Sequence, residues 1–125
     1  MKKTKQDQWQ NYLKTAITCQ KTLNEILNLP PKEVTTNFKL KVPLPFINKI
    51  KKNQPNDPLL LQVLIQGQEN EDIQGFSFDP LLEKKVNPVN GIIHKYHARA
   101  LVILSGGCAI NCRYCFRRHF DYQKN

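Results

Sequence analysis

The sequence predicts an α/β fold in which a mostly helical N-terminal region leads to one strand and a cysteine-bearing loop. The stretch "ARALVILS" (98–105) consists of small and branched apolar residues without polar alternation, which is typical of a strand buried on both faces of a parallel sheet. Helical segments with proline-rich joints precede it, and Gly106-Gly107 and three cysteines follow it. We therefore divide the chain into a helical region, 1–97, and a strand-and-loop region, 98–125.

The first helix is predicted from Asp7 to about Leu29, where Pro30-Pro31 ends it. Its apolar residues recur at helical spacing. They are Trp9, Tyr12, Leu13, Ala16, Ile17, Cys19, Leu23, Ile26 and Leu27.

Proline determines the next elements. In "FKLKVPLPF" (38–46) alternating apolar residues predict an extended segment, which the prolines exclude from a central strand. A short helical stretch is expected to follow, through Ile47 and Ile50. Asp57 is predicted to cap a helix that has Pro58 at its first position and runs to about Gln66. Asp79 and Pro80 repeat this arrangement.

The net charge of +9 is concentrated in the first 52 residues, which contain eleven lysines and three acidic residues. No aromatic residues interleave with these lysines as base-stacking platforms would. The pattern therefore favours a solvated helix face over a nucleic-acid-binding stripe.

Targeting signals are not evident in the sequence. No apolar run reaches the 18 or so residues of a membrane span, and the basic start "MKKTKQDQWQ" has no apolar segment behind it. We expect a cytoplasmic protein with no membrane partner, in which structural disulfides do not form.

Three of the four cysteines are clustered, as Cys108, Cys112 and Cys115. At the carboxyl end of a parallel strand, where active sites form, such a cluster indicates a metal or cofactor site. His119 would complete a Cys3His zinc site. Alternatively, three thiolates would hold a [4Fe–4S] cluster with one open iron. Cys19, on the apolar face of the first helix, is expected to be a small buried residue.

The spacing C-x3-C-x2-C, with an aromatic residue before the third cysteine, resembles the signature of radical S-adenosylmethionine (SAM) enzymes. The wider context is similar to the lysine 2,3-aminomutases, closest to the branch that makes β-lysine for modifying elongation factor P. The segments that carry the resemblance are "QPNDPLL", "GFSFDPL", "GIIHKYHARALVIL" and "GGCAINCRYCFRRHF".

The resemblance implies roles for particular residues. Cys108, Cys112 and Cys115 would be the ligands of the [4Fe–4S] cluster, and Tyr114 would lie near the adenine of SAM. Arg117 would bind the carboxylate of the substrate, a task that suits the forked guanidinium.

Five neighbouring basic residues have less specific roles. Arg113, Arg118 and His119 either share in the site or position the cluster loop and balance its charge. His94 and His97 are expected to be packing or turn residues.

The family's reaction is a 1,2-amino shift that converts L-lysine to β-lysine with the help of SAM and pyridoxal 5′-phosphate (PLP). The family fold is a partial (β/α) barrel of the TIM type, to which this sequence would contribute the N-terminal region, the first strand and the cluster loop. The family's PLP-binding lysine has no counterpart here, nor do its other catalytic groups. We therefore expect an N-terminal fragment that is inactive alone.

Two other interpretations remain. One is a small Cys3His zinc module that binds nucleic acid through its basic charge. The other is a non-catalytic interaction fragment with an exposed sheet edge.

Overall fold

A computed structural model describes residues 5–32, 34–82, 85–115 and 118–119. The chain is a mixed α/β structure that divides into two compact units. Of the described residues, the N-terminal unit comprises those up to Glu71 together with Ala109–Tyr114, and the hairpin unit comprises those between Asp72 and Cys108 together with Cys115 and residues 118–119. The predicted boundary at 97/98 stays a prediction.

The N-terminal unit contains short helices. They are α1 (Lys5–Lys14), α2 (Gln20–Leu27), α3 (Leu44–Ile47), α4 (Pro58–Leu61) and one 3₁₀ turn (Gly67–Asn70). The short helix predicted through Ile47 and Ile50 is confirmed in part, because α3 begins at Leu44 and ends at Ile47, before Ile50.

The predicted single helix from Asp7 to Leu29 is wrong, because the chain leaves the helix between α1 and α2. At Ile17 it forms an isolated antiparallel bridge with Val42, in which each backbone N–H donates to the other's carbonyl oxygen at 2.8 and 2.9 Å. Thr15, Ile17 and Thr18 are β-branched and favour extended backbone. A long-range pairing thus outweighs the local helical periodicity.

Helix α2 ends at Asn28, before the two prolines. Asn28 adopts the left-handed conformation (φ 54°), and its N–H donates to the carbonyl oxygens of Asn24 and Glu25. Asparagine tolerates this conformation better than most residues. The predicted end of the helical region is therefore confirmed.

The core of the N-terminal unit is a single cluster of buried aliphatic side chains. Its members come from α2, the extended segment, α3, α4 and the residues that follow α3 and α4. They are Leu23, Leu27, Leu40, Val42, Ile47, Ile50, Leu60, Val63 and Ile65. Alternation in "FKLKV" places Leu40 and Val42 in this core while the intervening lysines remain outside it.

Asp57 caps α4 as predicted. Its carboxylate Oδ1 accepts from the backbone N–H of Leu59 at 2.8 Å and of Leu60 at 3.1 Å, and Oδ2 accepts from the N–H of Lys51 at 3.2 Å. The helix ends at Leu61 rather than near Gln66. Beyond Leu61 the chain turns, which places Val63 and Ile65 in the core.

The hairpin unit contains the only two strands among the described residues, β1 (Ile92–Tyr96) and β2 (Arg99–Val102), paired antiparallel. Ile92 pairs with Val102 and Ile93 with Leu101. The turn between the strands includes Ala98 at φ 62°. The prediction of a strand buried on both faces is not met here, because every residue of β2 is exposed.

A helix capped by Asp79 is also absent from the described residues. The N–H of Leu82 donates to the carbonyl oxygen of Asp79, which closes a turn. Leu82 has φ 56°, outside the helical region, so no helix begins at Pro80. An Asp-Pro pair therefore does not by itself predict the start of a helix.

No helix of the described chain is long and apolar enough to cross a membrane.

Leu60 and Leu61 form a matched pair for testing the core. Leu60 is fully buried, whereas Leu61 is 41% exposed. We expect Leu60→Ala to lower the free energy of unfolding by about 2–5 kcal/mol, because it leaves a cavity, and Leu61→Ala to change it by about 0.5 kcal/mol. Denaturant titration followed by circular dichroism measures both values. Equal losses would contradict the assigned core.

Asp57 should make the stability of the chain depend on pH in the acid range. Burial raises the pKa of Asp57, but the backbone N–H groups of Leu60, Lys51 and Leu59 and the charge of Lys51 together lower it below its usual value. A carboxyl whose pKa is lowered on folding stabilises the fold above its unfolded pKa and loses that effect as the pH falls below it.

The midpoint temperature of thermal unfolding should therefore decrease as the pH is lowered below about 4. In Asp57→Asn this decrease should be smaller, and the midpoint at neutral pH should be several degrees lower than in the native chain. Asp72→Asn is the control, because Asp72 caps no helix. Parallel acid profiles for the native chain and Asp57→Asn would contradict this assignment.

Candidate metal centre

The three clustered cysteines lie on a loop that follows β2 and Gly106-Gly107. Cys108 and Cys115 belong to the hairpin unit, whereas Cys112 belongs to the N-terminal unit. All three are half-buried, and none is in a disulfide. Thiols in this state are available as ligands, which is the chemistry that the sequence predicts for them.

In the parts of the chain that the structure describes, no three His, Cys, Asp or Glu side chains are close enough to hold a metal ion. The donor set, three thiolates on one short loop, nevertheless fits an iron–sulfur cluster in its chemistry. The role of the three cysteines therefore stays a prediction.

What the structure does define is the attachment of residues 109–114 to the N-terminal unit. Ile110 packs against the aliphatic core. The backbone N–H of Asn111 donates to the carbonyl oxygen of Lys41 at 3.0 Å, and its side-chain Nδ2 donates to that of Lys39 at 2.9 Å. The residue before Cys112 is thus fixed to the extended segment.

Arg113 attaches the residue after Cys112. Its backbone N–H donates to the carbonyl oxygen of Gln62 at 2.7 Å. Its guanidinium forms a two-pronged ion pair with the carboxylate of Glu69, in which Nε lies 2.9 Å from Oε1 and Nη2 bonds Oε2. Nη1 donates to the carbonyl oxygen of Phe38 at 2.9 Å and Nη2 to Oγ1 of Thr36 at 3.1 Å.

The Arg113–Glu69 pair is shielded from solvent. The two side chains are 8% and 11% exposed, and the guanidinium carbon of Arg113 lies 5.1 Å from the ring centre of Phe38. A cation over an aromatic face in a partly dehydrated site is attracted to it. Of the two roles left open for Arg113, the contacts favour positioning the loop.

Four further residues on the loop carry predictions. Tyr114 is 76% exposed, and its role beside SAM stays a prediction. Arg117 lies outside the described residues. The backbone N–H of Arg118 donates to the carbonyl oxygen of Cys115 at 3.2 Å. The ring of His119 lies 4.9 Å from that of Phe78.

Cys19 contradicts its prediction. It is exposed and precedes α2 in extended conformation, because the break after α1 removes it from the apolar face. His97 occupies the hairpin turn as expected, whereas His94 is exposed in β1 and does not pack in a core.

Sequence reasoning missed Thr36, Glu69 and Asn111 as partners of the loop. Glu69 carries a weak local signal: with Gln66 it forms a capping box, in which Oε1 of Glu69 accepts from the N–H of Gln66 at 3.0 Å. The usual capping-box signature has serine or threonine at the first position, so a search for that signature does not find the box that begins at Gln66. Thr36 and Asn111 have no sequence signal, since their partners are distant in the chain.

No protein-family model matches the chain, but comparison with known proteins finds relatives that are all named aminomutases. L-lysine 2,3-aminomutase of Haemophilus influenzae is 50% identical over 123 residues, which is 94% of this chain and 36% of the relative. L-lysine 2,3-aminomutase of Escherichia coli is 44% identical over 126 residues, 95% of this chain and 36% of the relative.

A more distant relative bears a different substrate in its name. Glutamate 2,3-aminomutase of Clostridioides difficile is 31% identical over 122 residues, 90% of this chain and 29% of the relative. The first two relatives are thus distinctly more similar to the chain, and all three are aminomutases. The chain belongs to the family of the L-lysine 2,3-aminomutases and spans about a third of the length of the relatives that it matches.

Proposed function

We propose that the chain is part of a radical SAM enzyme that moves the α-amino group of L-lysine to the adjacent carbon and so makes β-lysine. The observation that carries the proposal is the 50% identity to a protein named L-lysine 2,3-aminomutase, over 94% of this chain. Identity to the glutamate-named relative is 31%, so lysine is the favoured substrate.

The proposed ligands of the [4Fe–4S] cluster are Cys108, Cys112 and Cys115. When bound, the cluster, SAM and PLP supply the radical and electron-sink chemistry of the amino shift. The chain's own residues bind and orient: the exposed ring of Tyr114 is accessible to an adenine, and the guanidinium of Arg117 suits the substrate carboxylate. None of these residues is proposed to take a hydrogen or proton from the substrate.

The fold proposed for the complete enzyme is a partial (β/α) barrel, to which residues 98–125 contribute the first strand and the cluster loop. The exposed Leu101 and Val102 of β2, at 55% and 59%, support this proposal, because such side chains are normally covered in a sheet. A full barrel needs about 250 residues. We therefore expect these 125 residues alone not to isomerise lysine, since the resemblance implies that the family's PLP-binding lysine is not among them.

The product is proposed to serve the modification of elongation factor P, and the setting to be the cytoplasm. The resemblance of "GGCAINCRYCFRRHF" to the branch with that role supports the first proposal. Four cysteines without a disulfide support the second.

Anaerobic reconstitution with iron and sulfide tests the cluster. We expect about four irons per chain and an electron paramagnetic resonance spectrum of the reduced cluster that changes on adding SAM. Replacement of Cys108, Cys112 and Cys115 together by serine should abolish iron uptake, because the cluster then has no thiolate ligands.

Cys19→Ser is the matched control and should leave iron uptake unchanged, since Cys19 is remote from the loop in sequence. One tightly bound zinc per chain and no iron would contradict the proposal and favour the Cys3His zinc module. Retention of neither metal would instead favour the non-catalytic fragment.

A further inference from the structure

We propose that Arg113 is a positioning residue, which through its ion pair with Glu69 fixes the middle of the cysteine loop to the N-terminal unit before any cluster forms. This inference rests on the proposed cluster site and deepens it. It assigns to the helical N-terminal region a task in the radical chemistry, that of holding one cluster ligand in place.

The first argument is that the N–H donors of the Arg113 guanidinium are already occupied. An arginine side chain has five N–H donors, and at least four of those of Arg113 bond to Glu69, Thr36 and the carbonyl oxygen of Phe38. The side chain is 8% exposed. A guanidinium so occupied is not presented to a substrate carboxylate, so the task of Arg113 differs from the one proposed for Arg117.

The second argument is the orientation of Glu69. Its Oε1 also accepts from the backbone N–H of Gln66, so the carboxylate is fixed by the 3₁₀ turn as well as by Arg113. The pair therefore joins two backbone segments, at Gln66 and at Arg113, rather than two mobile side chains. A carboxylate held in this way defines the position of its partner.

The third argument is that the residues on both sides of Cys112 are hydrogen-bonded to the N-terminal unit. Asn111 is bonded to the carbonyl oxygens of Lys39 and Lys41, and the N–H of Arg113 to that of Gln62. The backbone on both sides of Cys112 is thus held by groups that are distant in sequence. Pre-organising a ligand in this way lowers the entropy lost when a metal binds.

The effect of removing Arg113 follows from burial. Glu69 would keep a nearly buried carboxylate without its ion-pair partner, which strongly destabilises that arrangement. The carbonyl oxygen of Phe38 and the hydroxyl of Thr36 would lose a donor as well. The loop should then detach locally, while the aliphatic core, which does not contain Arg113, remains packed.

The first test needs no metal. Hydrogen exchange of the apo chain should show protected amides at Asn111 and Arg113, and that protection should fall at least about tenfold in Arg113→Met and Glu69→Gln. The amides of Ile17 and Val42, which bond each other in the same unit, serve as the internal reference and should be unaffected. Equal loss at the reference amides, or no loss at 111 and 113, would overturn the proposal.

The second test uses the reconstituted chain. Loss of iron to a chelator should be about 10- to 100-fold faster in Arg113→Met than in the native chain, as is usual when a residue that orients a metal ligand is removed. Arg113→Lys keeps the charge but not the fork and should lie in between. The double variant Arg113→Met/Glu69→Gln should be no worse than the single variants, since they share one interaction.

Arg99→Met is the matched control for charge. Arg99 lies in the exposed strand β2, with its guanidinium carbon 4.7 Å from the ring centre of Tyr96, and its loss should leave the chelation rate unchanged. The proposal would be overturned if iron were lost equally fast in Arg99→Met, or if its loss were no faster in Arg113→Met than in the native chain. If the native chain takes up no iron while the amides respond as expected, positioning by Arg113 holds and the proposed cluster function fails.

Discussion

A buried ion pair between Arg113 and Glu69, together with the hydrogen bonds of Asn111 and of the Arg113 backbone, holds residues 109–114 in the helical N-terminal unit. Two charges removed from water lose hydration, and only a geometry with further hydrogen bonds compensates for that loss. Here the carbonyl oxygen of Phe38, the hydroxyl of Thr36 and the N–H of Gln66 supply them. Breaking such a pair from one side typically costs about 3–5 kcal/mol, so the N-terminal segments and the loop are energetically linked.

The two units differ in how they are stabilised. The N-terminal unit encloses nine buried aliphatic side chains, and its short helices depend on that packing because helices of four to ten residues are marginal alone. The hairpin unit has Ile93 as its one buried aliphatic residue among those described, whereas Leu101, Val102 and Leu104 are exposed. The apolar residues of β2 therefore contribute little buried surface to the hairpin unit.

Prediction from sequence succeeded where the signal was local. The cap at Asp57, the end of α2 before Pro30-Pro31 and the short helix near Ile47 each depend on a few adjacent residues. It failed where a distant partner intervened. The break between α1 and α2 depends on the pairing of Ile17 with Val42, and the exposure of Cys19 follows from that break.

The sequence by itself determined the family, through the order of its segments, and the choice of three thiols as candidate ligands, through their spacing. The tertiary structure alone decided what Arg113 contacts, because no sequence pattern links it to its four hydrogen-bonding partners, Thr36, Phe38, Gln62 and Glu69. The physical reason is the range of the interactions. Capping and periodicity act within a few residues, whereas a buried charge takes whichever partner the fold brings to it.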